Sequence, residues 1–263
     1  MQPEFSKIAE GQDSSHWPDD SRQDAAYALA MMKNATADET LKRLALAGEP
    51  KPPDEHVKQR LWALAAISKA QTADRFKSEL WLANAKTQSP ALRKVAAEEL
   101  KNFKDPEIPK ILIEMISDAD AAVANAATAS LESVVAPKQA PLLIALLEKD
   151  DARRSAANRI LQGKKMAQPE TAEALGKALE NASEELAVQI LGVFQTMESV
   201  AGVDVHVAKA VNSGSVTVQS KALEVAGALK LKAAYDKIVE AAKSDTPEVR
   251  LAAVKAATSW ASV

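Results

Sequence analysis

The sequence predicts an all-α chain, a right-handed α-solenoid of about six to seven stacked antiparallel helix hairpins. Three observations predict it. The chain is self-similar at a spacing of about 31 residues. The apolar positions inside each spacing fall on one face of an α-helix. No stretch long enough to matter shows the period-2 alternation of a half-buried strand.

The register is set by Leu92, Val123, Arg153, Leu186, Val218 and Val249. Four residues after these anchors come Ala96, Ala127, Ala157, Ile190, Ala222 and Ala253, and eight residues after come Leu100, Leu131, Leu161, Phe194, Ala226 and Ala257. Eleven residues after come Phe103, Val134, Lys164, Met197, Leu229 and Trp260. Offsets of 0, 4, 8 and 11 share one helix face because 3.6 residues complete a turn. A second column, ten or eleven residues before each anchor, holds Leu82, Ile113, Leu143, Leu175, Val207 and Ile238 and belongs to a preceding helix. Each unit is therefore a helix A followed by a helix B.

In chain order, residues 1–20 are expected to form a polar, flexible or loosely docked tail containing His16 and Trp17. Residues 21–263 are expected to form one solenoid domain. Helices over 21–33 and 37–47 cover its first unit, with a capping box at Thr36-Ala-Asp-Glu39. Gly48-Glu-Pro-Lys-Pro-Pro53 reads as a rigid extended connector. A degenerate repeat over 37–70 places Val57, Leu61 and Ala65 at the anchor, +4 and +8 positions. Six clearer repeats follow over 73–103, 105–134, 137–164, 168–197, 203–229 and 231–260. Ser89-Pro90 and Asp105-Pro106 each place a capping residue before a proline at the first helical position, and Pro109 leaves the second of these starts open by about one turn. A hairpin of this size cannot bury its apolar face alone, so stability comes from stacking on neighbours. The 53 alanines let those neighbours approach closely at little cost in side-chain entropy.

Composition excludes several functions. Net charge is −3, so no bulk attraction to nucleic acid or anionic lipid is implied. Lys/Arg clusters such as Lys101–Lys104 and Arg153–Arg154 read as solvated helix faces. No apolar run approaches the roughly 20 residues of a membrane span. The absence of cysteine removes disulfides, thiolate metal sites and thiol nucleophiles. The first twelve residues lack the apolar centre of a signal peptide, although a mature exported protein would look the same. Localisation stays open between cytoplasm and an exterior compartment.

The Asp-x-x-x-Val-Arg-x-x-Ala pattern of Asp245–Ala253 resembles the HEAT repeat, in the short variety also found in phycobilisome-lyase-like proteins. The resemblance covers residues 73–260. It implies a ladder of Asp and Arg side chains between neighbouring units. The Arg place holds Arg93, Arg154 and Arg250 but Ala124, Ala187 and Gln219 elsewhere, so the ladder is expected to break in the middle.

Candidate chemistry is sparse. His16, His56 and His206 are scattered, and Glu55-His56 only superficially resembles the His–Glu pairs of HEAT-like di-iron hydroxylases, which need several pairs. Phosphate-binding glycine loops and a Gly-x-Ser-x-Gly elbow are absent. Trp62 and Trp81 could be imagined on a DNA-gripping face, but that face would have to be basic. Trp81 and Trp260 sit in or beside the core columns. No catalytic, metal or cofactor residue is assigned, and no cofactor is expected.

The solenoid surface remains. Positions two and six after the anchors should face away from the core, and the resemblance places the B helices along a concave groove. Lys94, Glu98, Asn125, Ser155, Arg159, Ser220, Glu224 and Lys255 lie on that strip, interrupted by the non-polar Ala129, Val188, Gly192 and Leu251. This mixed strip suits a protein or peptide partner. The leading expectation is a non-enzymatic protein-interaction scaffold or adaptor. The alternative is an enzyme subunit or chromophore-lyase-like cofactor binder, with nucleic-acid binding third. The last helix, 248–262, is apolar around much of its circumference where an end unit normally turns polar, so pairing with a second copy or continuation in a longer chain is a further expectation.

Overall fold

A computed structural model describes residues 1–12, 17–47, 53–71 and 75–261. Among them are sixteen α-helices and no strand. They fall into two compact units, Met1–Val134 and Val135–Val263. The division lies between two repeats, in a stretch where no second domain boundary is evident from composition.

The first unit runs α1 (Gln2–Glu10), α2 (Asp19–Met31), α3 (Ala35–Ala45), α4 (Pro53–Lys69), α5 (Ser78–Ala85), α6 (Pro90–Leu100), α7 (Ile108–Met115) and α8 (Ala121–Val134). The second runs α9 (Ala140–Ile144), α10 (Asp151–Leu161), α11 (Pro169–Leu179), α12 (Glu184–Phe194), α13 (Val203–Ala210), α14 (Val216–Ala228), α15 (Tyr235–Ala241) and α16 (Pro247–Ala261). Inside the first unit the B helices pack in succession, α2 on α4, α4 on α6 and α6 on α8. Inside the second, α10, α12, α14 and α16 do the same, and α9, α11 and α13 form the A row. Each unit is a stack of helix hairpins, the arrangement of an α-solenoid.

The columns explain the stack. Every +4 residue, Ala96, Ala127, Ala157, Ile190, Ala222 and Ala253, is fully buried. So are Leu100, Leu131, Leu161, Phe194 and Ala226 at +8. Small side chains at +4 let the helices close up while large ones at +8 fill the space, and each fully buried Leu or Phe contributes about 1.5–3 kcal/mol. Helices α14 and α16 approach one another closely. A β-carbon on Gly227 would lie 2.5 Å from the Ala256 Cα, so glycine is required there.

Some positions differ from the sequence expectation. At Leu82 and Ile113 full burial falls one residue earlier, on Trp81 and Leu112, which gives the spacing of eleven to the next anchor that Leu175, Val207 and Ile238 also keep. Arg153 is only half-buried and Lys164 is exposed, because Met166 fills that part of the core. Ala257 is exposed because no hairpin follows α16 among the described residues. Trp81 is fully buried beside Phe103, while Trp260 is half-buried.

The amino-terminal part differs most. Residues 2–10 are a helix with Ala9 buried, packed on α2 and α3 where a loose tail is expected. Gln59 donates to the Glu10 carbonyl at 3.3 Å, and Arg43 pairs with the Glu10 carboxylate. Thus α1 and α2 make an additional hairpin ahead of α3 and α4. Trp17 is 39 % exposed. His16 and residues 48–52 of the connector lie outside the described residues.

The cap of α3 is Asn34, whose side chain accepts the Ala37 amide at 3.0 Å, so the helix starts earlier than 37 and Thr36 is already inside it. The capping box is therefore not formed. Ser89 occupies the cap position of α6 without a side-chain cap bond. Asp105 accepts the Glu107 amide at 2.9 Å and the Ser78 hydroxyl at 2.7 Å, and α7 begins only at Ile108.

The degenerate repeat is displaced by one residue. Val57 and Leu61 are half-buried and Ala65 is exposed, whereas His56, Leu64 and Ile67 are buried with Arg60 between them. Arg60 thus stands where other repeats have Ala or Ile. Its Nε donates to the Ala45 carbonyl and to Asn84 Oδ1, and Asn84 in turn donates to the Ala45 and Leu80 carbonyls. Burial depresses the Arg60 pKa. Fully buried Asn84 and the guanidinium satisfy one another, which permits polar groups in this column.

Arg93, Arg154 and Arg250 share one task. The Arg93 Nη1 donates to the Thr87 and Gln88 carbonyls, Arg154 to those of Leu147 and Lys149, and Arg250 to that of Ser244. Each guanidinium closes the turn between helices A and B of its own hairpin. Two also reach the next hairpin. Arg93 forms a two-pronged pair with Asp118 at 2.6 and 2.8 Å, and Arg154 meets Glu185 at 3.1 Å. Ser183 and Ser215 cap α12 and α14, where the Arg place holds Ala187 and Gln219.

Candidate functional site

In the second unit, α12, α14 and α16 flank a groove of about 650 Å³. Ser220, Glu224 and Lys255 of the expected strip line it, together with the apolar strip members Val188 and Leu251. Val216, Ala228 and Ala252 extend the apolar surface, and Leu251 is 56 % exposed. Lys221 and Glu248 add one charge of each sign. Lys221 Nζ is held 2.9 Å from Glu224 and 3.2 Å from Gln195 Oε1, which fixes its position on the wall. Ser220 is half-buried, and its hydroxyl is buried without a hydrogen-bond partner among the described residues.

The remaining strip residues lie outside this groove. Ser155 and Arg159 are exposed on α10. In the first unit Lys94 and Glu98 pair with one another at 2.6 Å, and Asn125 is exposed on α8. Lys221, Glu248, Val216 and Ser259 line the groove without having been expected there. They stand at offsets +3, −1, −2 and +10 from their anchors, helical neighbours of +2 and +6, so a wider stripe along each B helix would have included them.

A smaller notch of about 290 Å³ lies between α11 and α13. His206 lies over Gly176, whose absent β-carbon makes room for the ring, and stacks on Phe194 with centroids 6.1 Å apart. Its Nε2 is 3.5 Å from Glu173. Three carboxyls here titrate below their ordinary range. The Lys177 ammonium holds Glu173 down, the Lys209 ammonium holds Glu180 down, and the hydroxyls of Ser215 and Thr217 hold Glu184 down. Each is a stabilised anion at the surface, the opposite of a proton donor poised near neutrality. His56 and His206 lie in different units, and among the described residues no three His, Asp or Glu side chains are placed to share a metal ion.

Residues 78–162, which span α5 to α10, match the family model of HEAT repeats. That segment belongs to the HEAT-repeat family. No curated protein sequence matches the chain. Among solved structures, human deoxyhypusine hydroxylase in complex with glycerol aligns at 17 % identity over 99 % of this chain and 96 % of its own, with a TM-score of 0.40. Importin beta aligns at 12 % identity over 97 % of this chain and 40 % of its own, with a TM-score of 0.49. An engineered protein aligns at 18 % identity over 97 % and 78 %, with a TM-score of 0.38. No helix among the described residues is long and apolar enough to cross a membrane.

Proposed function

We propose that the chain is a non-enzymatic protein-interaction scaffold and that the α12–α14–α16 groove receives a segment of a partner protein. The observation that carries this reading is the composition of the groove. An exposed Leu251 and its apolar neighbours form the contact surface, and charges of both signs, Lys221, Lys255, Glu224 and Glu248, stand around it. That is the make-up of a protein-binding patch, with an apolar centre and a polar rim. A phosphate backbone would call for a single positive sign.

Cross-linking mass spectrometry on complexes recovered from the native cell tests it. A partner cross-linked to Lys221 or Lys255, and lost in Leu251→Asp but kept in Leu142→Asp, is the expected result. Both leucines are already exposed, at 56 % and 44 %, so neither change disturbs the core. Cross-links confined to other faces, or equal retention in both variants, would overturn the proposal.

A further inference from the structure

The charges around the α12–α14–α16 groove are not equivalent. On α14, Lys221 and Glu224 satisfy one another at 2.9 Å. On α16, Glu248 and Lys255 are both exposed, and among the described residues neither side chain has a hydrogen bond or ion pair. Leu251 lies between them, and offsets of 0, 3 and 7 from Glu248 share one helix face. The α16 wall therefore presents a stripe of anion, exposed leucine and cation, about 10 Å from end to end.

The walls set a second condition. All three are α-helices, whose backbone groups are engaged in their own hydrogen bonds. No residue lining the groove is Asn or Gln, the side chains that offer an extended backbone both a donor and an acceptor. A strand lying here would leave its own amides and carbonyls unmet by protein. A helix brings its backbone already paired and needs only side-chain contacts.

Building on the reading of this groove as a partner site, we infer that its occupant is an amphipathic helix of another protein, lying antiparallel to α16. An acidic residue of that helix meets Lys255, an apolar residue about four positions on meets Leu251, and a basic residue about seven on meets Glu248. The helix dipole selects the direction. An antiparallel partner carries its acid toward its amino end and its base toward its carboxyl end, the favourable order, and a parallel one would carry the reverse. Along α16 the groove runs from Glu248 to Ser259, about 16 Å, room for about three turns of helix. A second copy's α16 bears the same stripe. Its own α14 packs alongside it, however, so the copy offers a layer of helices where the groove takes a single one.

Selection on the full chain from a displayed library of helical peptides, about four turns long with random outer positions, tests the inference. The expected consensus is acid, apolar and base in that order and spacing. A synthetic consensus peptide should bind Glu248→Lys/Lys255→Glu about tenfold more weakly than the parent, and the charge-swapped peptide should recover that loss. A proline at the centre of the peptide should abolish binding. Binders that depend on Leu251 but show no charge order, or that tolerate the proline, would overturn the helix and leave the groove as a partner site. Binders indifferent to Leu251→Asp, or no binders, would remove both readings. Self-association of the parent in sedimentation velocity, lost in Lys255→Glu and regained in the double variant, would assign the groove to a second copy and overturn the inference.

Discussion

Gly227→Ala tests whether close approach of α14 and α16 is what holds the last hairpin in place. Two effects oppose each other. Replacing a glycine by alanine stabilises a helix by about 0.5–1 kcal/mol in its interior, an upper bound for Gly227 in the last turn of α14. Here the new β-carbon would stand 2.5 Å from the Ala256 Cα and 2.7 Å from its Cβ, both far inside van der Waals contact. The obstruction includes backbone, so relief requires moving α16 as a body, and overpacking of this kind costs about 1–3 kcal/mol. The steric effect wins, leaving a net loss of about 0.5–2 kcal/mol. For a unit of about 130 residues the unfolding entropy is about 0.27 kcal/mol/K, so the unit's melting temperature falls by about 2–7 °C. Gly192→Ala is the internal control. It lies in the last turn of α12 in the same unit, as Gly227 does in α14, with nothing within 4 Å of its would-be β-carbon, so only a propensity gain of at most about 0.5–1 kcal/mol applies. Differential scanning calorimetry of the two variants, with hydrogen exchange along α14 and α16, separates the effects. Equal or greater stability of Gly227→Ala would refute the close-approach argument.

Arg93→Ala removes a two-pronged pair with Asp118 and leaves two turn carbonyls to water, an expected loss of roughly 1–3 kcal/mol at neutral pH. The Arg93 hydrogen bond holds the Asp118 carboxyl below its ordinary range. Its stabilising contribution is therefore complete above the unfolded-state value of about 4 and disappears as pH falls through the lower folded-state value. Urea melts of parent and variant should differ by a constant amount above about pH 5, and the gap should narrow in acid to the share of the turn-carbonyl hydrogen bonds. A gap that persists unchanged at the acid end would contradict this assignment. Asn34→Ala should cost about 1 kcal/mol through loss of the α3 cap, measured by hydrogen exchange at Ala37, and Thr36→Ala should cost less because Thr36 is not the cap.

Much of the architecture was legible because stacking repeats a demand. Each hairpin needs apolar residues at +4 and +8, and a chain that places them there six times, small then large in the first three, leaves a visible period. The period is lost where polar groups satisfy each other in place of apolar packing. Arg60 does this with Asn84 of the next hairpin, so the repeat holding Arg60 lies one residue out of the register its apolar residues suggest. The first hairpin leaves little trace in the sequence for a related reason. Only Ala9 of α1 is fully buried, and much of its attachment runs through polar contacts of Glu10 with Gln59 and Arg43, pairings that no spacing rule reveals. The Arg positions were visible. Their bonds to the turn carbonyls of the same hairpin emerge only in three dimensions, and they give Arg250 a role although no hairpin follows it among the described residues.

The groove was partly legible for the opposite reason. Within a hairpin the backbone groups are satisfied by the helix itself, by caps such as Ser183 and Ser215, and by the turn arginines. Core packing is met by the anchor, +4 and +8 positions. The +2 and +6 positions are left with no structural duty, which is why polar and apolar residues alternate there without a period. At Val188, Leu251 and Lys255 the residue type is thus free of the fold and available to record a partner's surface. If that reasoning holds, exchanging Leu251 and Lys255 for alanine together should leave the melting temperature within about 1 °C, a surface-site effect below roughly 0.5 kcal/mol, while weakening any contact made through the groove. A large loss of stability would mean that these side chains serve the stack itself, and the separation between scaffold and surface would fail.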